Sequence, residues 1–502
     1  MHPGLFGSAV MTSLIRRAVH ATWWSALEIA ARYGVQFAVM IVLARLLTPS
    51  DFGLIAMLLV FTTVAALLVD SGFGTALVQR QRTSADDETT VFLSGLAISV
   101  VMGVGLWLAA PAIAAFYSQP LLTPLTRLLL FVLPLSAVAA VPDALLTQRL
   151  DFRSRANAEI YASLCSGAVA ILLAWRGFGV WSLGWQSIVS IGLRAALLWL
   201  YSRWRPRGAF RWASFRSLFR FGSFMLMSNL LNALSLRLQS LLIGRLFDSR
   251  ALGYYTLAQN TQLAPAQFMS GVLNRVGLPV FSTVADQREK LVGALRLSLR
   301  VAIFVFVPCM VGIAVVAKPL IAMLYGPRWT PAAPLLTVLA VSATFWPLHV
   351  LNLAAIGARG RSDLIFRLEL VKRIFSISLI LTCSPGGPMA IAWAVLASSI
   401  FMVLVNTWYS RKLLGYGVLH QLRDQTGTLL LSAMAALAGW VVLHWMQGGT
   451  SAMLSAIGAA VVVYLSGAFI GRHPALREIF ELAQTLRSSR AEAPSIDGGP
   501  DA

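Results

Sequence analysis

The stretch ARLLTPSDFG at residues 44–53 returns as GRLFDSRALG at residues 244–253, and each copy lies between two long apolar segments. Both copies carry an arginine at their second position, Arg45 and Arg245, and both end in a glycine, Gly53 and Gly253. The offset of 200 residues (245 minus 45) far exceeds the roughly 20–50 residues of a solenoid repeat. The two copies therefore indicate duplication of a large unit.

Two further matches extend this duplication. Ser71-Gly72 corresponds to Ser270-Gly271, and residues 129–136 resemble residues 335–342 at a similar offset (335 minus 129 is 206). Six apolar segments then map on six. An even number of membrane crossings per unit gives both halves the same orientation, related by an axis along the membrane normal. This pattern is typical of transporters that move one lobe against the other.

The composition places the chain in a lipid bilayer. Hydrophobic residues make up 58% of the sequence and charged residues 12%, and the mean hydropathy is +0.74. Apolar runs long enough to cross about 30 Å of hydrocarbon recur throughout, and we count about fourteen by the rule of roughly 20 residues per span. The sequence therefore predicts an all-α polytopic membrane protein with two parallel six-helix lobes plus two C-terminal helices.

The predicted parts follow from these spans. They are a cytoplasmic or interfacial N-terminal segment (1–20), a first lobe with spans one to six (21–202), a basic cytoplasmic linker (203–220), a second lobe with spans seven to twelve (221–412), spans thirteen and fourteen (426–471), and a cytoplasmic, partly disordered tail (472–502). The sequence leaves open whether Met1 or Met11 is the start, and no cleavable signal peptide is predicted.

The loops differ in charge on the two sides of the predicted bundle. One set is rich in arginine, with Arg80, Arg149 and Arg205 among many, whereas the opposite set has few, such as Arg176 and Arg250. The positive-inside rule then predicts that both termini are cytoplasmic. This topology and attraction to anionic lipid headgroups account for the net charge of +20 without a nucleic-acid partner.

Three sequence patterns resemble a known family. They are residues 43–54 (LARLLTPSDFGL), residues 70–80 (DSGFGTALVQR), and Leu252-Gly253-Tyr254-Tyr255 leading to residues 279–282. The chain resembles Wzx-type polysaccharide flippases of the multidrug/oligosaccharidyl-lipid/polysaccharide exporter superfamily, and within it the branch that exports colanic or teichuronic acid repeat units. The first pattern is fairly specific for this family.

The resemblance implies a function. Such a flippase transfers an undecaprenyl-pyrophosphate-linked oligosaccharide from the cytoplasmic to the periplasmic leaflet of the bacterial inner membrane by alternating access, for exopolysaccharide or lipopolysaccharide biosynthesis. It works without cofactor or metal, with a monomer as the transport unit. Polysaccharide polymerase and chain-length regulator proteins are its candidate partners, besides the lipid-linked substrate and membrane lipids.

Such cargo needs a cationic, hydrogen-bonding cavity, and polar residues inside predicted spans are candidates because they are costly in hydrocarbon. Guanidinium groups suit a pyrophosphate, and amides suit sugar hydroxyls. Asn260, Gln267 and Asn274 are spaced seven apart and so share one helical face. The predicted substrate-binding residues are Arg32, Arg237, Arg275, Asn229, Asn232, Asn260, Gln267 and Asn274. The alternative for each amide is a hydrogen bond between helices.

Acidic residues inside the spans are candidates for ion coupling, and Glu28 and Asp70 are the predicted pair. Glu28 could instead neutralise Arg32 four residues on, and Asp70 could pair with an arginine near the same membrane surface. Glu369 with Lys372 and Arg373 is predicted to be a self-compensated cluster. Arg45 and Arg245 are interpreted as interfacial anchors, and the acidic run at residues 86–88 as a solvated loop rather than a metal site.

Enzymatic motifs are missing from the sequence. It has no P-loop, H-E-x-x-H or G-x-S-x-G pattern. Two alternatives stay open: a membrane polymerase or ligase of lipid-linked glycans, which would carry a large periplasmic loop with catalytic Arg or His, and a cation-coupled multidrug exporter, which would carry an acidic cavity.

Overall fold

A computed structural model describes residues 34–80, 83–446 and 449–479, and most of these residues are helical. Glu28 and Arg32, the predicted N-terminal segment and most of the predicted tail lie outside the described residues. The helices of the first half are α1 Gly34–Leu46, α2 Pro49–Asp70, α3 Phe73–Gln79, α4 Ala85–Tyr117, α5 Leu122–Leu129, α6 Val132–Gln148, α7 Phe152–Trp175 and α8 Val180–Ser202.

The second half begins with two helices of 35 residues each, α9 and α10. Its helices are α9 Trp212–Leu246, α10 Ser249–Thr283, α11 Arg288–Val315, α12 Ala317–Tyr325, α13 Ala333–Ala343, α14 Trp346–Ala358, α15 Ser362–Cys383 and α16 Gly387–Leu414. The chain then adds α17 Val418–Trp445 and α18 Thr450–Ile470, which pack against α11 and α12. The polytopic all-α class is confirmed.

Ten helical stretches of the described residues are long and apolar enough to cross a membrane. One of them, Asp363–Leu414, covers α16 and all but the first residue of α15, whereas α9 and α10 are not apolar enough to be among the ten. The polar residues along α9 and α10 lower their hydropathy. The count of about fourteen spans therefore stays a prediction.

The repeated motif forms the turn between two helices in each half. Thr48 caps α2: its backbone N–H donates to Asp51 Oδ2 at 2.8 Å, and Pro49 occupies the first helical turn, where its missing N–H is harmless. In the second half Asp248 caps α10 by accepting a hydrogen bond from the Ala251 N–H at 2.6 Å. The two copies thus start equivalent helices with different side chains.

The acidic run at residues 86–88 is not a solvated loop, because it forms the first turn of α4. Ser84 and Asp87 make a capping box there. Asp87 also pairs with Arg80 at 2.9 Å, and Asp86 pairs with Arg211 of the linker at 2.5 Å. Glu88 accepts a hydrogen bond from the Trp204 indole N–H at 2.7 Å. These carboxylates attach the linker to the first half.

A second charge network joins three helices of the first half. Asp143 of α6 accepts from Arg155 of α7 at 2.7 Å and pairs with Arg194 of α8 at 3.2 Å. Arg194 in turn pairs with Glu159 of α7 at 2.9 Å. Two carboxylates and two guanidiniums compensate each other, which reduces the penalty for placing them inside the bundle.

Candidate functional site

The two halves meet symmetrically at the end of the bundle where α2 and α10 begin, called here the Pro49 end. A Cβ atom added to Gly53 would overlap the carbonyl of Ser249, and one added to Gly253 would overlap the carbonyl of Pro49. Residue 49 is the repeat equivalent of 249, and 53 of 253. Reciprocal contacts of this kind are those of a two-fold interface, so the repeated motif builds the contact between the lobes.

The two repeated arginines also cross between the lobes. Arg45 donates from Nε to the Leu324 carbonyl at 2.8 Å and from Nη2 to the Met323 carbonyl at 2.5 Å. The Arg245 guanidinium lies 5.2 Å from the ring centre of Phe116. Each partner directly precedes a buried tyrosine, Tyr325 or Tyr117, at the end of α12 or α4. The interfacial-anchor interpretation omitted these contacts, because the partners are remote in sequence.

Trp329 completes the contact at the Pro49 end. Its side chain is fully buried, and its indole N–H donates to the Ala44 carbonyl of the other lobe at 2.7 Å. Phe52 packs edge-on against its ring at a centroid distance of 5.2 Å, and Tyr254 does so at 6.1 Å. Arg328 adds a hydrogen bond to the Leu47 carbonyl at 3.3 Å. Apolar packing and four hydrogen bonds from Arg45, Arg328 and Trp329 therefore join the lobes here.

The opposite end, called here the Arg80 end, has a second close approach. Ser71 and Gly72 adopt left-handed backbone conformations (φ 47° and 71°) that break the chain between α2 and α3. Gly72 packs directly on Gly222 of α9, and a Cβ on either glycine would overlap the backbone opposite. Arg80 donates to the Ser217 hydroxyl of α9 at 2.5 Å. Helix α9 thus touches the first lobe near both of its ends.

One stripe of α9 faces the first lobe between these two contacts. Gly222 and Gly244 mark it, since Gly244 lies against Met57 and Tyr117 of the first lobe. Residues 229, 233, 237 and 240 continue the same face at steps of three and four. Asn229 lies at the middle of α9, and Arg237 lies nine residues before its end (246 minus 237). Both are therefore placed between the lobes. Arg237 is partly buried and makes no hydrogen bond or ion pair with the described residues.

Helix α10 presents a matching stripe. Asn260 and Gln267 follow Ser249 and Gly253 at helical spacing on the face that contacts the first lobe. Both side chains are exposed, so this face is unpacked beyond the contact at the Pro49 end. Asn274 and Arg275 lie on α10, but their side chains are outside the described residues.

The other polar face of α9 points into the second lobe. Asn232 accepts a hydrogen bond from Arg373 of α15 at 2.9 Å. Gln239 accepts from the Tyr255 hydroxyl at 2.7 Å and from Gln259 at 3.2 Å. Asn232 thus holds an interhelical hydrogen bond, as the alternative interpretation expected, while Asn229 and Arg237 lie on the face between the lobes.

Asp70 lies at the end of α2. Its carboxylate lies beside the backbone N–H groups of Gly72 and Gly74, and Asp143 is a neighbouring charge. No ion pair joins Asp70 to an arginine in the described part of the chain. The carboxylate therefore stabilises the start of α3, where free N–H groups attract negative charge.

An apolar groove runs between α11 and the two added helices. It has a volume of about 630 Å³. Its walls include Pro308 and Phe304 of α11, Ala435 of α17, and Ala460 and Val461 of α18. Span counting predicted two extra helices but gave no hint of a groove, because each side of it is ordinary apolar sequence.

A two-lobed membrane transporter is the class defined by this duplicated helical bundle, with its polar stripes between the lobes. The family model described as "Polysaccharide biosynthesis protein" matches residues 42–334, and the chain belongs to this family.

The chain is similar to known proteins in sequence and in fold. The succinoglycan biosynthesis transport protein ExoT of Rhizobium meliloti is 27% identical over 94% of this chain and 96% of its own length. The lipopolysaccharide biosynthesis protein WzxC of Escherichia coli is 26% identical over 79% of this chain and 80% of its own. The lipid II flippase MurJ in an inward closed conformation superposes with a TM-score of 0.73 at 14% identity, covering 90% of this chain and 98% of MurJ. The fold is therefore MurJ-like.

Proposed function

We propose that this protein is a flippase for lipid-linked oligosaccharides. It would move an undecaprenyl-pyrophosphate-linked repeat unit from the cytoplasmic to the periplasmic leaflet of the bacterial inner membrane, for exopolysaccharide or lipopolysaccharide biosynthesis. The names of the relatives, a transport protein for succinoglycan and a lipopolysaccharide biosynthesis protein, support this cargo class. In this proposal the Arg80 end and both termini are cytoplasmic, and the Pro49 end is periplasmic.

The observation that carries the proposal is Arg237. An arginine at the centre of a membrane helix costs about 2.5–3.5 kcal/mol on insertion scales. Arg237 forms no ion pair with the described residues, so its place on the face between the lobes favours an anionic ligand. A guanidinium binds phosphate oxygens through two parallel hydrogen bonds and keeps its charge in a low dielectric. Arg237 is proposed to bind the pyrophosphate together with Arg32 and Arg275.

The amide side chains fit the sugar part of the cargo. Asn229, Asn260 and Gln267 lie on the stripes between the lobes, and each amide both donates and accepts hydrogen bonds. Asn274 is proposed to extend this set along α10. Asn232 contributes indirectly by holding Arg373, and Glu28 and Asp70 remain the proposed ion-coupling residues.

The apolar groove fits the lipid part. A polyprenyl chain needs an apolar surface that is continuous with the bilayer, and the groove between α11 and α17–α18 offers one beside the second lobe. The headgroup would then cross between the lobes while the tail stays in hydrocarbon. Release of the contacts at the Pro49 end would expose the headgroup to the periplasm.

The test uses a host that lacks the gene. Lipid-linked oligosaccharide is labelled in these cells, and a membrane-impermeant probe reports the leaflet that holds it. The proposal predicts single repeat units in the cytoplasmic leaflet, and their transfer once the gene is restored. Single units stranded in the periplasmic leaflet, or no change in lipid-linked units together with sensitivity to cationic drugs, would contradict it.

A further inference from the structure

A buried hydrogen-bond chain crosses three helices of the second lobe. Lys372 of α15 donates to Glu369 Oε1 at 2.5 Å and to Asn406 Oδ1 of α16 at 3.1 Å. The Asn406 amide nitrogen lies 2.9 Å from Nδ1 of His349 on α14. The Lys372 side chain is 1% exposed and Asn406 is fully buried, whereas His349 is half-buried. The transport scheme above uses none of these groups.

Donor and acceptor chemistry fixes the direction of this chain. A lysine ammonium only donates, so the oxygen of Asn406 must face Lys372 and its NH2 group must face His349. Nδ1 of His349 then accepts, which leaves the imidazole neutral with its proton on Nε2. Asn406 also donates to the His349 backbone carbonyl at 3.3 Å, in agreement with this orientation.

We propose that His349 is a proton-binding site whose protonation releases the link between α15 and α16. A proton that binds Nδ1 forms an N–H bond there, and this new donor faces the NH2 group of Asn406. The amide must turn so that its oxygen meets His349, and its NH2 group then faces the Lys372 ammonium. The hydrogen bond between Lys372 and Asn406 is lost, while Lys372 keeps its protons and stays with Glu369. The cluster gains one proton and one positive charge.

Three charged groups surround His349 and its hydrogen-bond chain. Lys372 and Glu369 are the charged groups that act on His349, and Arg373 acts on Lys372. From α16 the facing group is the neutral amide of Asn406. No described residue of α10 or α11, which also pack against α14, forms an ion pair with His349. A protonated His349 would be a third cation beside Lys372 and Arg373, with Glu369 as the single carboxylate.

The cluster is linked to α9 through Arg373. This side chain lies 4.0 Å from Glu369 and donates to Asn232 of α9, the helix that carries Arg237. A shift of α15 relative to α16 is therefore transmitted to α9. The inference rests on the lobe motion of the proposed function, and it adds a coupling site in the second lobe to Glu28 and Asp70 of the first.

The test measures lobe separation against pH in the full-length protein, without substrate. Cys165, Cys309 and Cys383 are replaced, spin labels are attached through Gln79→Cys and Ser282→Cys, and the protein is reconstituted in lipid vesicles. Pulsed electron paramagnetic resonance then gives the distance distribution at steps from about pH 3.5 to about pH 8, which also covers histidines that titrate on the acid side of their usual range. The inference predicts a shift in the distribution with a midpoint inside this range.

Three variants identify the group responsible. His349→Gln cannot take up the proton. Asn406→Asp accepts hydrogen bonds from both Lys372 and protonated His349, so that it holds the two cations together. Each of these variants should abolish the shift. His420→Gln, at an exposed histidine of α17, preserves it. A shift that survives in His349→Gln or in Asn406→Asp would overturn the inference, and so would a shift that is lost only in Asp70→Asn. An unchanged distribution in the wild type would also overturn it. That result would not contradict the flippase proposal, because the measurement is made without substrate.

Discussion

Gly53 of α2 and Gly253 of α10 occupy equivalent places in the two lobes, and each packs against the backbone of the other lobe. Gly53 lies on the carbonyl of Ser249, and Gly253 lies on the carbonyl of Pro49. A side chain at either position would push the helices apart. The two copies of the sequence repeat therefore form the interface between the lobes at the Pro49 end. An alternating-access cycle requires the lobes to separate at this interface.

The first prediction concerns these glycines. Gly53→Ala and Gly253→Ala should each open the Pro49 end, because overpacking costs about 1–3 kcal/mol. In a background without native cysteines, Thr256→Cys on α10 should then react faster with a membrane-impermeant maleimide. Gly103→Ala is the control, since an added Cβ there meets no atom within 4 Å. An unchanged labelling rate in both interface variants would contradict the prediction.

Arg45 should stabilise the same closed end. Arg45→Ala removes the hydrogen bonds to the carbonyls of Met323 and Leu324, each worth roughly 0.5–1.5 kcal/mol. We expect faster labelling of Thr256→Cys, with a smaller effect for Arg45→Lys, which keeps the charge but loses the planar fork. Arg250→Ala, at an exposed arginine of the same end, should label like the wild type. Equal rates for Arg45→Ala and Arg250→Ala would exclude a gating role.

Helical periodicity predicted which faces are polar but not which partners they meet. The steps of three and four placed Glu369 beside Lys372, and the ion pair at 2.5 Å confirms this. The same spacing could not reveal His349 or Asn406, because they lie on other helices. The sequence likewise did not reveal the partner of Arg45, because Leu324 is 279 residues away. Contacts within one helix follow from the sequence, whereas contacts between lobes need the fold.

The start of α9 shows a second limit. The basic linker was predicted to extend to residue 220, yet α9 begins at Trp212. Trp212, Phe215 and Phe219 stack along this first stretch, with ring centres 5.0 and 5.7 Å apart. Arginines lie between these aromatic residues and lower the mean hydropathy of the stretch, so hydropathy did not reveal its apolar face. Helical spacing of the rings was the signal that could have revealed it.

The charge network of the first lobe should contribute to stability. Asp143→Asn removes the carboxylate that compensates Arg155 and Arg194. Because these groups are about one quarter to one third exposed, we expect a loss of roughly 1–3 kcal/mol, less than for a fully buried pair. Thermal unfolding of the detergent-solubilised protein measures it. Asp363→Asn, in a pair that is 50% exposed on both sides, should have little effect, and equal melting temperatures for the two variants would contradict the prediction.

The apolar groove should tolerate no large side chain if a lipid tail uses it. Ala460→Trp fills the groove between α11 and α18, and we expect it to slow leaflet transfer of lipid-linked oligosaccharide in the complemented host. Val462→Trp is the matched control, because Val462 is 65% exposed, lies two residues away and is not part of the groove wall. Similar transfer in the two variants would show that the tail does not occupy the groove.

The central claim is that Arg237 binds the pyrophosphate between the lobes, and leaflet transfer in reconstituted vesicles tests it most directly. Arg237→Ala should slow the transfer of an undecaprenyl-pyrophosphate-linked oligosaccharide at least about tenfold, which is about 1.4 kcal/mol, and Arg237→Lys should recover part of the rate. Arg216→Ala removes an exposed arginine of the same helix and should leave the rate unchanged. If Arg237→Ala and Arg216→Ala both transfer at the wild-type rate, the claim that Arg237 binds the pyrophosphate between the lobes is wrong.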